Sequence, residues 1–364
     1  MADTPDLPVI DADGHVIEPP ELWGRYLESR FHSRMPRPAR DETGRFGYVV
    51  GDRFVMQTAS SLAERPKTAD GKLPAGGWDP EQRILDMDTE GIDIAILYPT
   101  LSFFFPELND IELHTALCRA YNDWLADFCK TDPRRLVGVA LLPLNDVEAS
   151  IRELERTVRD FGFRGAFIRP NPYEGVPIQH PRYEPFWQRA QELDVAITVH
   201  EGISDSLPTL GRDRSSNPVL QHLMSHPFEQ MAACAGLVLG GVLERHPKLR
   251  FVFLESGSGW LPYWLHRMDK HWELWSSHLR PVKRRPSEIF LRQCFISMDP
   301  DDEIAPSVVQ QLGDDNLVWA SDYPHIDSPF PGAVKETLRV LRALPEASRE
   351  KILVRNARRL YALD

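Results

Sequence analysis

The sequence has few cysteines, no long apolar run, and fewer basic than acidic residues. Its four cysteines (Cys118, Cys129, Cys234 and Cys294) form no C-x-x-C pair. We therefore expect buried, reduced thiols and neither a disulfide framework nor a thiolate zinc site. No apolar run approaches the roughly 18 residues of a membrane-spanning helix. The start, M-A-D-T-P-D, lacks the basic and apolar stretches of a signal peptide, so we expect a cytoplasmic protein.

The charge balance also excludes a class of partner. Lys and Arg number 42 against 54 Asp and Glu, which gives a formal charge of −12. A nucleic-acid-binding protein needs a basic face to contact phosphates, so we expect no such partner. The hydrophobic fraction of 42% and the charged fraction of 26% are those of an ordinary globular protein.

Eight short apolar runs recur along the 364 residues, separated by stretches with helical periodicity. Continuous hydrophobicity is typical of strands that are buried on both faces, as in a parallel sheet. The runs cover residues 8–13, 93–99, 135–143, 165–170, 195–200, 250–256, 294–299 and 317–322. Helices are predicted near 81–90 and over 108–132, 145–161 (with Asn145 as the N-cap), 183–194, 226–246 and 301–312.

This alternation predicts an α/β protein, a (β/α)8 TIM barrel that forms a single domain over residues 1–364. A doubly wound open sheet is the alternative, but it would need a glycine-rich phosphate turn after the first strand, and D-A-D-G-H is not one. About 65 residues between the first strand and the next helix exceed an ordinary connection. We interpret residues 16–80 as an inserted, lid-like segment over the barrel mouth, with a β-hairpin over 46–57 that turns at Gly51-Asp52.

Acidic and histidine side chains stand at the carboxyl ends of four predicted strands, which meet at one face of a barrel. Asp13 and His15 are two residues apart on the first strand, so their side chains point the same way. Several carboxylates buried together need a cation, and imidazole with carboxylate ligands but no thiolate suits Zn, Mn or Fe. The candidate ligands of this divalent metal are Asp13, His15, His200, Glu255, Asp322 and His325.

His226 is a further candidate ligand, in the S-H-P-F-E-Q stretch at a predicted helix start. Because it precedes Pro227, it could instead cap that helix. Glu255 is a candidate ligand or a general base that moves a proton. The candidate ligands outnumber the needs of a single ion, so one or two ions per chain are expected.

Three further residues are candidates for binding a small-molecule substrate. Arg169 ends the fourth strand and could hold a substrate carboxylate, or could pair with an acid on a neighbouring strand. Phe104, in the run 103–106, could form a wall of the pocket, a buried loop or a subunit contact. Trp260 is the first of several tryptophans at helical spacing, which could contact substrate, build the core or form an interface.

Four motifs resemble the amidohydrolase superfamily. They are V-I-D-A-D-G-H, V-H after a short strand, G-V-L-E-R-H-P-K-L-R before a strand, and W-A-S-D-Y-P-H near the end. The chain is similar to the amidohydrolase-2, or aminocarboxymuconate-semialdehyde-decarboxylase-like, family of metal-dependent hydrolases and decarboxylases. The resemblance implies that the metal ligands are Asp13, His15, His200 and Asp322.

Two positions depart from the family pattern. Asp13 stands where many relatives have His or Glu, which exchanges one metal ligand for another. Glu255, in L-E-S-G-S-G-W, stands where family decarboxylases carry the histidine of H-G-G or H-M-G that helps with proton transfer. The second departure puts a simple transfer of the decarboxylase mechanism in question.

The resemblance implies an enzyme that hydrolyses or non-oxidatively decarboxylates a small organic acid or aromatic substrate, through a metal-activated water or substrate oxygen. Glu255, His226 and Asp322 are the candidate catalytic groups, and a homodimer is the expected assembly. One alternative is a dinuclear non-haem iron or manganese–iron oxygenase on the same scaffold, since open histidine and carboxylate sites also suit O2-activating iron. Another is an inactive relative that serves as an interaction partner.

Overall fold

The computed structural model describes residues 7–42, 44, 46–55, 73–108, 110–202, 208–279, 282–325 and 328–363. Its strands are β1 (Ile10–His15), β2 (Arg37–Arg40), β3 (Phe46–Val50), β4 (Arg53–Val55), β5 (Ile94–Tyr98), β6 (Leu136–Leu141), β7 (Gly165–Ile168), β8 (Ala196–Val199), β9 (Arg250–Phe253), β10 (Cys294–Met298) and β11 (Leu317–Trp319). Strand β1 and strands β5 to β11 form one parallel sheet in chain order, and β2 to β4 form a separate antiparallel sheet.

The parallel sheet is a nearly closed barrel. Residues just after β11 return to β1, where the N–H of Asp322 donates to the carbonyl of Asp13 at 2.9 Å. The N–H of His15 donates to the carbonyl of Tyr323 at 2.6 Å. Each of the eight predicted runs overlaps one of its strands, which confirms the (β/α)8 barrel.

Helices cover the outside of the barrel. They are α1 (Pro20–Tyr26), α2 (Pro80–Glu90), α3 (Ile111–Cys129), α4 (Val147–Phe161), α5 (Glu184–Glu192), α6 (Pro218–Leu239), α7 (Val242–Arg245), α8 (Leu261–Trp275), α9 (Pro286–Gln293), α10 (Ala305–Leu312), α11 (Ala333–Leu341), α12 (Glu346–Glu350) and α13 (Asn356–Tyr361). None of the helices in the described ranges is both long and apolar enough to cross a membrane. All four cysteines are buried as free thiols.

Several helix starts differ from the predictions, since α3 begins at residue 111 and not at 108, and α10 begins at 305 and not at 301. The N-cap of α4 is Asp146, not Asn145, because the Asp146 carboxylate accepts the N–H of Ala149 at 2.9 Å. Helix α6 begins at Pro218, after the N-cap Asn217, and not at residue 226. The Asn-Pro pair is a stronger start signal than His-Pro, since proline is favoured at the first helical position. His226 therefore lies inside α6 and does not cap it.

The segment after β1 contains the predicted hairpin. Strands β3 and β4 pair antiparallel around Gly51, whose φ of 63° suits the turn. Residues 56 and 57 of the predicted hairpin lie outside the described residues. Strand β2 adds a third strand through its pairing with β3. At the start of the segment, α1 lies against α3, where the Tyr26 hydroxyl donates to Asp127 at 2.7 Å. The lid-like role stays a prediction.

Candidate metal centre

Four strand ends bring predicted ligands together at one face of the barrel. Asp13 and His15 lie in β1, and the others follow β8, β9 and β11. The Nε2 atom of His15 lies 3.3 Å from Asp13 Oδ1 and 3.2 Å from Asp322 Oδ1. The Nε2 atom of His200 lies 3.2 Å from Asp13 Oδ2 and 3.5 Å from Glu255 Oε2. The two oxygens of Asp13 thus face different histidines.

Backbone carbonyls fix the orientation of both histidines. The Nδ1 atom of His15 lies 2.7 Å from the carbonyl oxygen of Pro99, and that of His200 lies 2.7 Å from the carbonyl oxygen of Glu201. A carbonyl can only accept, so each Nδ1 carries the proton and donates. Each Nε2 then presents its lone pair to the cluster, which is the tautomer that metal-ligating histidines require.

The cluster fits a divalent cation. Both carboxylate oxygens of Asp13 and the Nε2 atoms of His15 and His200 are buried and have no hydrogen-bond partner among the described residues. Buried polar atoms without partners are costly. Two atoms that each lie about 2.1 Å from one ion, at tetrahedral or octahedral angles, are about 3.0–3.4 Å apart. The observed separations match this range, so Asp13, His15, His200 and Asp322 would hold the ion.

The charges of the cluster reinforce one another. Burial by itself would raise the pKa of Asp13, but His200 and His15 hold it below its usual range. Burial opposes the charged form of His15, yet Asp13 and Asp322 raise the pKa of His15 to about 10. The pKa of Asp322 is well below its usual range because His325 and His15 outweigh its burial. Acids that stabilise a positive charge on His15 would equally stabilise a metal ion.

Two acidic residues of the site have a left-handed backbone, with φ of 48° at Glu255 and 55° at Asp322. Residues other than glycine adopt this conformation at a cost, and it concentrates at functional sites. The N–H of Glu255 donates to the Ser297 hydroxyl at 3.2 Å, and that of Asp322 donates to the carbonyl of Asp13. These hydrogen bonds help to hold the two strained positions.

His325 has protein partners at both ring nitrogens. Its Nδ1 lies 2.7 Å from Asp322 Oδ1, and its Nε2 lies 2.9 Å from the Thr100 hydroxyl. Its ring also stacks on His15, with the centroids 4.0 Å apart. This arrangement favours a positioning role for His325, which holds the Asp322 carboxylate, over its predicted role as a ligand.

A cleft of about 370 Å³ opens beside the cluster, lined among others by His226, Glu255 and Asp322. This volume is large enough for a small organic molecule. The Nε2 atom of His226 lies 3.7 Å from Glu255 Oε2. Burial, with His222 and His200 nearby, lowers the pKa of His226 well below its usual range, so its imidazole is neutral.

Sequence reasoning missed two residues that line this cleft, His222 and Asp299. His222 lies one helical turn before His226 on α6, and the H-x-x-x-H spacing was a readable signal. Asp299 directly follows β10, so the rule of strand ends would have found it. Burial, with Asp302 and Asp322 nearby, raises the pKa of Asp299 well above its usual range.

Arg169 is buried and forms a salt bridge with Glu201, which lies in the loop after β8. Its Nη2 lies 3.0 Å from Glu201 Oε1, and its Nε lies 3.0 Å from Asn171 Oδ1. Its Nη1 donates to the carbonyl of Phe103 at 3.2 Å. The structure thus contains the salt bridge that was the alternative for Arg169, and a contact with substrate stays a prediction.

The two aromatic candidates occupy different positions. Phe104 is buried in the 3-10 segment Leu101–Glu107, but it is the ring of Phe103 that contacts the cluster, with centroids 4.8 Å from His200 and 5.6 Å from His15. The indole N–H of Trp260 donates at 3.2 Å to the hydroxyl of Ser256, which lines the cleft. Substrate contacts of Phe104 and Trp260 stay predictions.

Known proteins match the chain over most of its length. Gamma-resorcylate decarboxylase of Rhizobium sp. (strain MTP-10005) is 29% identical over 339 residues, which are 86% of this chain and 98% of that protein. The 2-amino-3-carboxymuconate-6-semialdehyde decarboxylase of Dictyostelium discoideum is 26% identical over 305 residues, which cover 81% of each protein.

Solved structures share the fold. An amidohydrolase from Mycobacterium avium subsp. paratuberculosis K-10 has 24% identity and a TM-score of 0.78, over 98% of this chain and 100% of that one. A dihydroxybenzoic acid decarboxylase from Polaromonas sp. JS666, solved with manganese and the inhibitor 2-nitroresorcinol, has 22% identity and a TM-score of 0.70, over 98% and 97% of the two chains. The family model described as Amidohydrolase matches residues 10–363. The chain therefore belongs to the amidohydrolase family.

Proposed function

We propose that the protein is a metal-dependent, non-oxidative decarboxylase of a hydroxylated aromatic acid. The observation that carries this proposal is the buried set of ligand atoms on Asp13, His15 and His200, which lack protein hydrogen bonds in the described ranges and lie beside an open cleft. The curated relatives named above are decarboxylases, which favours decarboxylation over hydrolysis. None of those relatives is an oxygenase, so they give the oxygenase alternative no support.

The reaction replaces a ring carboxylate by a proton and releases CO2. When bound, the divalent ion supplies a Lewis acid that polarises an oxygen of the substrate. The protein must then bring a proton to the ring carbon that carries the carboxylate. The carbon–carbon bond breaks, and its electron pair returns to the ring.

Glu255 is the best-suited carrier of this proton. Asp322 is held as a carboxylate by His325 and His15, since its pKa is well below the usual range. His226 is neutral because its pKa is far below the usual range, so it has no extra proton to donate. Glu255 lines the cleft and stands where relatives place a proton-transfer histidine. A carboxylic acid can perform the same transfer.

A direct assay tests this function. Protein loaded with one equivalent of Mn²⁺ per chain is incubated with 2,6-dihydroxybenzoate and 5-carboxyvanillate, the acids named for two structurally similar decarboxylases, and CO2 release is measured. We expect turnover of at least one of these acids, a loss of about 100-fold or more in Glu255→Gln, since general acid–base groups contribute 10²–10⁴-fold, and no activity in Asp322→Ala. Unchanged activity in Asp322→Ala, or no CO2 from either acid, would refute the proposal.

The finer identity of the ion and of the assembly belongs to the same proposal. We infer manganese, because the Polaromonas decarboxylase was solved with manganese and a ligand set rich in carboxylates suits this ion. Zinc and iron are the alternatives, and elemental analysis of freshly purified protein distinguishes all three. A homodimer and a location in the cytoplasm stay predictions; light scattering of the purified protein tests the first.

A further inference from the structure

A second group of side chains that could bind a metal ion lines the cleft beside the first cluster. His222 and His226 occupy successive turns of α6, and their rings stack with centroids 4.2 Å apart. Glu255, after β9, faces them, with its Oε2 3.7 Å from His226 Nε2. One ligand atom from each of the three lies within 4.8 Å of the others.

The carboxylate of Glu255 stands between the two groups. The same oxygen, Oε2, lies 3.5 Å from His200 Nε2 and 3.7 Å from His226 Nε2. Both distances are too long for good hydrogen bonds, which have donor–acceptor separations of about 2.7–3.2 Å. They exceed by only a few tenths of an ångström the 3.0–3.4 Å expected for two ligand atoms that share an ion.

The orientation of His226 repeats that of the first cluster's histidines. Its Nδ1 lies 3.3 Å from the carbonyl oxygen of His222, one turn earlier in α6. The nearer partner of Nδ1 is the Ser225 hydroxyl at 3.1 Å, which donates to the same carbonyl and can therefore accept from Nδ1, so both contacts are compatible with the proton on Nδ1 and a lone pair on Nε2. His226 can thus adopt the tautomer that a metal needs.

We propose that His222, His226 and Glu255 form a second divalent transition-metal site, with Glu255 shared between the two ions. Two histidines at i and i+4 on one helix face, with a carboxylate from another element, are a common set of three metal ligands. Imidazole ligands favour Mn, Fe, Co or Zn over Mg and Ca, which prefer oxygen. All three side chains line the cleft, so the remaining coordination positions face the space that substrate would fill.

The second site does not rest on the proposed decarboxylation. An ion bound there would engage the Glu255 carboxylate that the proposed proton transfer uses. A Glu255 that is shared by two ions is a carboxylate with no proton to donate, so filling the second site would suppress the proposed proton transfer, and decarboxylation would need the first site filled alone. Metal content and spectra need no substrate, so their outcome is independent of the reaction.

Manganese loading of the metal-free protein tests the inference. After chelation and saturation with Mn²⁺ alone, we expect about two equivalents per chain and an electron paramagnetic resonance spectrum of two coupled ions. His222→Ala should keep about one equivalent and give the six-line spectrum of an isolated Mn²⁺ ion. His266→Ala, which removes an exposed histidine of α8, is the matched control and should keep both ions.

A reciprocal variant tests the inference independently in case His222→Ala disturbs helix α6. Asp13→Asn weakens the first site and leaves His222, His226 and Glu255 intact, so it should retain one equivalent with an uncoupled spectrum. One equivalent in the wild type at saturating Mn²⁺ would overturn the inference, as would two equivalents in His222→Ala. No CO2 release at one equivalent of Mn²⁺ per chain would refute the decarboxylase proposal and leave the second site standing.

Discussion

His325 connects the metal cluster to the loop after β5. It bridges Asp322 and the Thr100 hydroxyl, so it fixes the direction of one carboxylate ligand. We expect His325→Ala to lower the affinity for the first ion by about 10–100-fold, the usual cost of losing such a partner. Calorimetric titration of metal-free protein with Mn²⁺ measures this, with the exposed His278→Ala as control.

A purely structural role of His325 would give a different result. The unfolding temperature of the metal-free variant would then fall while the Kd for Mn²⁺ stayed at the wild-type value. A complete loss of binding, as severe as that of Asp322→Ala, would instead mean that His325 is itself a ligand.

Arg169 gives a second prediction at the scale of single residues. Its guanidinium neutralises Glu201, and both side chains are fully buried. Arg169→Met would leave a buried acid without its partner, so we expect the free energy of unfolding to fall by about 3–5 kcal/mol. The double variant Arg169→Met/Glu201→Gln should recover part of this loss. Chemical denaturation measures both.

The same variants examine the predicted contact with substrate. If Arg169 binds the substrate carboxylate, Arg169→Met would keep its stability and raise KM alone. Burial raises the pKa of Glu201 to about 8, although Arg169 opposes the shift. Glu201 is thus largely protonated at neutral pH, and removal of Arg169 raises its pKa further, so the full loss of about 3–5 kcal/mol is expected only at alkaline pH, where Glu201 of the wild type is ionised.

At the scale of elements, one carboxylate anchors the 3-10 segment that holds Phe103 against the histidines. Glu18 accepts the N–H of Leu101 at 2.9 Å and that of Ser102 at 3.0 Å. Glu18→Gln replaces a charged acceptor by a neutral one, so we expect the free energy of unfolding to fall by about 1–3 kcal/mol. Glu21→Gln, at an exposed position of α1, should change it little, and equal losses in both variants would contradict this role.

The strands and the candidate ligands at their carboxyl ends could be predicted, because each follows from a local sequence pattern. A run such as 195–200 is apolar throughout, and a buried parallel strand requires just that. The position of His200 after β8 and of Asp322 after β11 then follows from the topology of a barrel. The same rule would have placed Asp299, which ends the predicted run 294–299 but was not included among the candidate residues.

Features that depend on contacts between distant elements could not be predicted. The pairing of β2 with β3 could not be predicted, because β2 has the sequence R-P-A-R and no apolar pattern marks it as a strand. The choice between substrate and Glu201 as the partner of Arg169 depends on side-chain packing. The start of α6 was mistaken because Pro227 suggested a helix start, whereas the first turn is at Pro218 and the second proline lies inside the helix.

For the molecule as a whole, a metal ion at the proposed site would join the first and last strands of the barrel. Asp13 and His15 lie in β1, and Asp322 follows β11, so an ion bound by all three bridges the closure of the sheet. Folding and metal binding are therefore coupled, as they are wherever an ion binds the native state alone. This coupling gives a prediction that needs no substrate.

Removal of the metal should lower the unfolding temperature. An ion present at 100 times its Kd stabilises the folded state by about 2.7 kcal/mol, which for a chain of this size corresponds to about 3–4 °C. We expect a chelator to produce a shift of this order in a thermal scan, and Mn²⁺ to reverse it where Mg²⁺ does not, because the site contains two imidazoles. Asp322→Ala should show a much smaller shift. An equal shift in that variant would mean that the stabilising ion binds elsewhere.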